Sequence, residues 1–246
     1  MTHQPRRNAG RRQAAIRELA ARGAASYSAT HFLIALGILT VVTPIVDRPP
    51  IGDLVAAAAF TLVAFTGALA VRSSRRALIV SIVLGGSALA CAWLERGLPG
   101  TLWPPLEAIL AAIFSAFIAA QMLLHVVRAE RVQRETVCAG LATYMMLGVT
   151  WMFAYLVVDK LAPGSFAEFG TPVAELGDQQ AFYLSFVTLT TTGYGDITPR
   201  SSTARTVAVL EAIAGSFFVM TILARLVSAY TRPGGIGGGG STGSGA

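Results

Sequence analysis

Charged side chains are scarce in this sequence. Only 13% of its 246 residues are Asp, Glu, Lys or Arg, whereas 54% are hydrophobic and the mean hydropathy is +0.60. A water-soluble domain of this size needs far more charge to cover its surface, which argues against the ordinary soluble classes. The composition therefore indicates an integral membrane protein.

Reactive groups are scarce too. The two cysteines, Cys91 and Cys138, lie in or beside apolar stretches, and their spacing fits neither a disulfide framework nor a metal site. The sequence contains no paired carboxylates, no nucleophile with a matching base and no phosphate-binding loop. We therefore predict that the protein is not an enzyme and needs no cofactor.

Six apolar stretches are each long enough to cross a membrane core of roughly 30 Å, which takes about 20 residues. They are Ser28–Val46, Leu54–Val71, Ala77–Leu94, Leu106–Val127, Val137–Val158 and Thr206–Ala229. The predicted fold class is an all-α integral membrane protein with six transmembrane helices, located in the cell membrane.

The net charge of +6 comes from basic residues in short segments between these spans. Such clustering is the topology signal of a membrane protein and argues against a nucleic-acid partner. An even number of spans places both termini on one side, and the positive-inside rule makes that side the cytosol. Residues 1–27 are then a basic cytosolic segment, which either lies as an amphipathic helix on anionic lipids of the bilayer or is a solvated tail.

The first four spans, residues 28–127, are predicted to form a domain like a voltage sensor but without gating arginines. Arg128, Arg131 and Arg134 repeat every third residue, yet Ile109–Val127 contains no Arg or Lys. A voltage sensor needs its arginines within the membrane field. We therefore interpret residues 128–136 as a cytosolic linker and expect no strong voltage dependence.

The insert between the last two spans contains the polar sequence Thr190–Asp196, TTTGYGD. Irregular backbone at membrane depth is tolerated only where it is buried in protein or lines a water-filled cavity. The glycines on either side of Tyr194 permit positive φ angles, which turn successive carbonyls to one side. Asp178 is expected to cap a short helix over about Gln179–Leu189, directly before this sequence.

The segments Tyr183–Thr188 and Thr191–Asp196 resemble the pore helix and selectivity signature of the tetrameric potassium channels. The resemblance is closest to the prokaryotic group with one pore loop between two helices, which implies a prokaryotic origin. It implies a pore domain over residues 137–230, with an outer helix, a mobile extracellular turret over Asp159–Leu176, a re-entrant pore helix, a filter and an inner helix. Because one chain supplies a quarter of such a filter, the resemblance also implies a C4 homotetramer.

The roles of the filter residues follow from the same resemblance. It implies that Thr191, Thr192, Gly193 and Tyr194 bind K⁺ through backbone carbonyls, that the Thr191 hydroxyl adds the innermost ring, and that Gly195 completes the filter. Thr192 replaces the usual valine, so its hydroxyl needs a hydrogen-bond partner behind the filter.

Asp196, the residue after the filter, is expected to stabilise it through a hydrogen bond. Val187 stands where some relatives of the resembled family carry a glutamate that pairs with the aspartate after the filter. Because that pairing is absent here, we predict that Asp196 accepts a hydrogen bond from the Tyr183 hydroxyl.

The last span carries Gly215, which the resemblance implies is a gating hinge, although a transmembrane glycine also serves close helix packing. Glu211, one turn earlier, is an ionisable group at membrane depth and is expected to face the back of the filter or a neighbouring helix. Four residues beyond Gly215 are candidates to line an inner cavity: Phe218, Val219, Ile222 and Leu226. We expect residues 231–246, which are rich in Gly and Ser, to be a flexible tail.

The sequence therefore predicts a potassium-selective channel that conducts K⁺ passively, with K⁺ ions in its filter. A weakly selective cation channel and a K⁺ transporter subunit remain open as alternatives, as does a non-conducting membrane scaffold. Transporters of that kind usually combine four pore-like repeats in one chain, whereas this sequence has a single intact GYG.

Overall fold

The computed structural model describes residues 29–41, 61–63, 65–67, 75–97, 102–129 and 134–230. These residues are mostly helical, which confirms the predicted class. We label the main helices α1 (Ala29–Val41), α2 (Arg75–Gly97), α3 (Trp103–Arg128), α4 (Arg134–Leu161), α5 (Asp178–Leu189) and α6 (Ser202–Tyr230). Residues 61–63 and 65–67 are also helical.

Four helical segments of the described chain are long and apolar enough to cross a membrane. They are Arg75–Leu94, Trp103–Arg128, Thr136–Leu161 and Ser202–Arg225, and they coincide with the third to sixth predicted spans. The first predicted span contains α1, whereas most of the second lies outside the described residues. The count of six spans therefore stays a prediction.

The helices before the insert pack closely where a glycine lies against a phenylalanine ring. α3 packs along both α2 and α4. A Cβ on Gly85 of α2 would lie 3.0 Å from the ring of Phe114 in α3, and one on Gly67 would lie 3.1 Å from the ring of Phe32. Lipid tails are as apolar as these side chains, so close packing at small residues, rather than exclusion of water, stabilises such helix pairs.

A small antiparallel sheet, in the order β2-β1-β3, joins the two sides of the insert. Its strands are β1 (Phe166–Glu168), β2 (Thr171–Pro172) and β3 (Ile197–Pro199), and Ala167 is paired with both Pro172 and Thr198. The β1–β2 turn has positive φ at Phe169 and Gly170. The predicted turret thus contains a hairpin that pairs with the strand after the filter sequence, and its mobility stays a prediction.

Helix α5 begins one residue earlier than predicted, at Asp178, and Gly177 is its N-cap. The Gly177 N–H donates to Gln180 Oε1 at 3.0 Å, and the Ala181 N–H donates to the Gly177 carbonyl at 2.9 Å. The expectation that Asp178 caps the helix is therefore wrong. Its carboxylate stands in the first turn, where a negative charge still favours the positive end of the helix dipole.

Candidate functional site

The backbone after α5 folds back onto the helix end. Four consecutive N–H groups donate to carbonyls in the last turns of α5: Thr190 to Phe186 (3.0 Å), Thr191 to Thr188 (2.9 Å), and Thr192 and Gly193 to Val187 (2.9 and 3.2 Å). In a trans peptide, the N–H and the C=O of one unit point in opposite directions. The carbonyls of residues 190, 191 and 192 therefore point away from α5.

Positive φ angles alternate along this segment. Thr191, Gly193 and Gly195 have φ values of 57°, 56° and 80°, whereas Thr192 and Tyr194 are not in the positive region. Gly193 and Gly195 therefore adopt the positive φ angles that the sequence predicted for them. Thr191 is the unexpected member, because a β-branched residue at positive φ costs about 1–3 kcal/mol and persists only where its surroundings impose it.

The Thr192 hydroxyl forms a hydrogen bond with the hydroxyl of Thr190. The Oγ1 atoms of Thr192 and Thr190 lie 2.9 Å apart, and Thr190 Oγ1 donates to the carbonyl of Phe186 at 2.6 Å. Because Thr190 has one hydroxyl proton and the carbonyl takes it, Thr192 is the donor in the threonine pair. The partner expected for the Thr192 hydroxyl is therefore Thr190, which in turn donates to the backbone of α5. We call this pair of hydrogen bonds the threonine relay.

Asp196 is hydrogen-bonded to Tyr183 of α5, as the sequence predicted. The Tyr183 hydroxyl donates to Asp196 Oδ2 at 2.7 Å, and the Tyr183 ring stacks on that of Tyr194 with centroids 6.3 Å apart. The hydrogen bond lowers the pKa of Asp196 below its ordinary value. The same bond, followed by burial and the nearby carboxylate, raises the pKa of Tyr183 to about 12.

Behind α5, the helix α6 contributes two residues that the sequence had singled out. Glu211 is fully buried and faces Ser185 of α5 and Tyr155 of α4, so the expectation that it faces a neighbouring helix is confirmed. Gly215 packs against Leu189 at the end of α5. The sequence did not identify Tyr155, Ser185 or Leu189, since their role depends on the phase of three helices.

Two of the proposed cavity-lining residues contact α4. The Phe218 ring lies 5.5 Å from that of Tyr144, and Ile222 Cδ1 lies 3.7 Å from the place of a Cβ on Gly140. Val219 joins them in lining an apolar cavity of about 390 Å³ between α4 and α6. Leu226 belongs to α6, but the description of that residue is limited to its backbone. Their assignment to an inner ion cavity stays a prediction.

Residues 146–232 match a family described as "Ion channel". Over these residues the chain is similar to ion channels. Ion channels are not enzymes, in agreement with the sequence analysis. The match begins inside α4 and ends just beyond α6, so it contains the whole of the loop, the sheet and α5.

Three curated proteins that are similar to this segment are named as potassium channels. The chain is 35% identical over 88 residues to two pore potassium channel c of Oryza sativa subsp. japonica, covering 36% of this chain and 17% of that protein. It is 33% identical over 101 residues to two-pore potassium channel 4 of Arabidopsis thaliana, covering 40% and 35%. It is 29% identical over 102 residues to inward rectifier potassium channel Kirbac3.1 of Paramagnetospirillum magnetotacticum, covering 40% and 30%.

These similarities have a limited extent. The chain spans between 17% and 35% of the length of these relatives, and no solved structure matches it. Two of the relatives are plant proteins, so the predicted prokaryotic origin stays a prediction.

Proposed function

We propose that this protein is a potassium-selective channel in which Thr191 to Gly195 form one quarter of the filter. The observation that carries the proposal is the row of carbonyls from residues 190 to 192, directed away from α5 by the hydrogen bonds of the following N–H groups. Rings of such carbonyls replace the hydration shell of a K⁺ ion. The alternation of positive φ at Thr191, Gly193 and Gly195 supports the same use of the backbone.

A single chain offers oxygens on one side of an ion only. Four copies around an axis supply complete rings, and cyclic symmetry closes the path. Residues 190 to 195 are exposed in the single chain, and Tyr194 is 71% exposed although its ring is large. A C4 homotetramer covers these residues with other copies and leaves the Thr191 hydroxyl and the carbonyls on the axis.

Two electrostatic features favour a cation on this path. The carbonyl end of α5 lies at Leu189, directly before the filter, and the negative end of a helix dipole stabilises a positive charge nearby. At the other end, Asp196 keeps its charge because its pKa is lowered. A carboxylate from each copy at the mouth concentrates cations there.

The gate of the proposed channel is not strongly driven by voltage. Helix α3 carries no Arg or Lys between Trp103 and Val127, so it offers no basic charge inside the membrane field. Residues 1–27 and both termini lie outside the described residues. The contact of residues 1–27 with anionic lipids and the cytosolic position of the termini are therefore proposals. The hinge at Gly215 likewise remains a proposal.

Single-channel recording of the purified protein in planar bilayers with mixed K⁺ and Na⁺ tests the function. We expect unitary currents that reverse near the K⁺ equilibrium potential. The comparison variant is Gly193→Ala, because a Cβ there meets no atom of its own chain within 4 Å but is strained by the positive φ of 56°. That variant should assemble but lose selectivity or current.

The alternative functions predict different results in the same recordings. Equal permeability to K⁺ and Na⁺ indicates a weakly selective cation channel. K⁺ transport without unitary current steps indicates a transporter subunit. An assembled protein without any ion flux indicates a membrane scaffold.

A further inference from the structure

A buried carboxyl group joins three helices behind the filter. Glu211 of α6 is completely buried, and both of its carboxyl oxygens contact hydroxyl groups. Tyr155 of α4 donates to Oε2, and Ser185 of α5 lies 2.6 Å from Oε1. Among the described residues, no Lys, Arg or His forms an ion pair with it, although burying an unpaired carboxylate is costly.

The hydroxyl of Ser185 has two close oxygen neighbours but only one proton. Its Oγ lies 2.6 Å from Glu211 Oε1 and 2.7 Å from the backbone carbonyl oxygen of Gly148 in α4. Both distances are those of O–H···O hydrogen bonds. A carbonyl only accepts, so Ser185 supplies the proton to Gly148. The second contact then requires a proton on Glu211.

We infer that Glu211 is held in its neutral, protonated form and acts as a positioning residue for the filter. The proton order is Glu211 Oε1–H to Ser185 Oγ, and Ser185 Oγ–H to the Gly148 carbonyl, while Tyr155 donates to Glu211 Oε2. The three helices α4, α5 and α6 are thereby bonded to one side chain. Ser185 lies one turn before Leu189, the last residue of α5. The hydrogen bonds of Ser185 therefore fix the position of α5, and with it the position of the proposed filter, along the membrane normal. The inference rests on the proposed channel function.

The groups around Glu211 oppose its ionisation. From α4 it is faced by Tyr155, a neutral phenol, with Tyr144 farther along the same helix and Asp159 one turn beyond Tyr155. From α5 it is faced by the hydroxyl of Ser185. The nearest base on its own helix, Arg205, is six residues away, about 9 Å along the axis, and donates to the Pro199 carbonyl.

Removal of the proton from Glu211 breaks the relay. The single Ser185 proton then serves either the carboxylate or the Gly148 carbonyl, and the other pair of oxygens is left in contact without a hydrogen. Since unpaired buried acceptors are strongly destabilising, we expect α5 to shift and the filter to lose its conducting form. Alkaline pH should therefore abolish the K⁺ current of the wild type.

The experiment combines current recording with infrared spectroscopy of the assembled protein. Wild type, Glu211→Gln and the matched control Glu175→Gln are recorded in K⁺ from mildly acidic to strongly alkaline pH. Glu175 is an exposed turret residue that pairs with Lys160. Gln at position 211 keeps one donor for Ser185 and one acceptor for Tyr155. We expect this variant to conduct with a flat alkaline profile, whereas Glu175→Gln retains the wild-type loss of current.

The infrared spectra decide the protonation state independently of conduction. At neutral pH, the C=O band of a protonated carboxylic acid should be present in the wild type and in Glu175→Gln and be reduced in Glu211→Gln. An unchanged band in Glu211→Gln overturns the inference, as does a folded Glu211→Gln tetramer that has lost its current. Absence of wild-type current at every pH refutes the channel function instead, and the infrared difference still reports on Glu211.

Discussion

The Cα atom of Gly215 packs directly against the carbonyl group of Leu189. A Cβ on Gly215 would lie 2.6 Å from that carbonyl oxygen and 2.9 Å from Leu189 Cδ1. The same oxygen accepts a hydrogen bond from the Tyr144 hydroxyl at 3.1 Å. The last helical carbonyl before the filter sequence is thus held by α4 on one side and α6 on the other, which gives Gly215 a packing role whether or not it is also a hinge.

Replacing Gly215 with alanine should destabilise the assembled protein. The new methyl group meets backbone, which has little room to move, and overpacking of this kind costs about 1–3 kcal/mol. Thermal unfolding of the purified protein in detergent measures the loss. Gly86→Ala in α2 is the matched control, since no atom lies within 4 Å of its Cβ, and it should be neutral or gain up to about 1 kcal/mol. A Gly215→Ala protein with wild-type stability but altered opening would favour the hinge instead.

The threonine relay predicts an asymmetry between two Thr→Val changes. Thr192→Val removes only the donor of the Thr190–Thr192 pair, so K⁺ selectivity should be retained. Thr190→Val removes both hydrogen bonds, each worth about 0.5–1.5 kcal/mol, and should therefore be the more destabilising change. Reversal potentials in K⁺ and Na⁺ together with thermal stability compare the two proteins. Equal effects of both changes would refute the proton order in the relay.

Tyr183→Phe should make the current more sensitive to external acid. The Tyr183 hydrogen bond lowers the pKa of Asp196, so the charge and the stabilisation it provides persist until the pH falls through this lowered value. Without the hydroxyl, Asp196 returns toward its ordinary pKa and takes up a proton at a higher pH. Titration of the current with external pH measures the shift.

A double-mutant cycle isolates this bond. Asp196→Asn abolishes the titration, and Tyr183→Phe added to it should have little further effect, because the two residues act through one contact. Identical acid dependence of the wild type and Tyr183→Phe would show that the bond does not support the filter.

Arg225 connects the end of α6 to the end of α3, and its replacement by lysine should loosen this connection. Its guanidinium donates to the carbonyl of Val126 and, at 2.6 Å, to that of Ala129. Lysine presents a point charge that does not span two carbonyls in the same way, and hydrogen bonds from charged donors contribute about 1.5–3 kcal/mol each. A lower unfolding temperature is expected. Arg205→Lys, with one exposed contact of 3.4 Å, is the control and should change little.

The helices were predictable because hydropathy marks the part of the chain that lies in lipid. The sequence placed the last span at Thr206, yet α6 begins at Ser202, since helical hydrogen bonds continue into the polar residues at the membrane surface. The strands were not predictable: two or three residues carry no alternating pattern, and β3 exists only because the chain returns beside β1 after the filter.

Residue types were easier to predict from the sequence than their partners. The glycines at 193 and 195 were predictable because their type permits positive φ, whereas the positive φ of Thr191 is imposed by bonds to α5. Glu211 stood out as a carboxyl at membrane depth. Its partners, 26 and 56 residues away in sequence, depend on how three helices are rotated against one another.

The hairpin of β1 and β2 has its own consequence for pharmacology. Its tip carries Phe169, which is 81% exposed, while the Phe169 N–H donates to the Asp196 carbonyl at 2.7 Å. In the proposed channel, an antibody fragment or peptide bound to this tip would therefore lie one backbone hydrogen bond from Asp196. On the proposed topology, such a binder would change the current from outside the cell without blocking the conduction path.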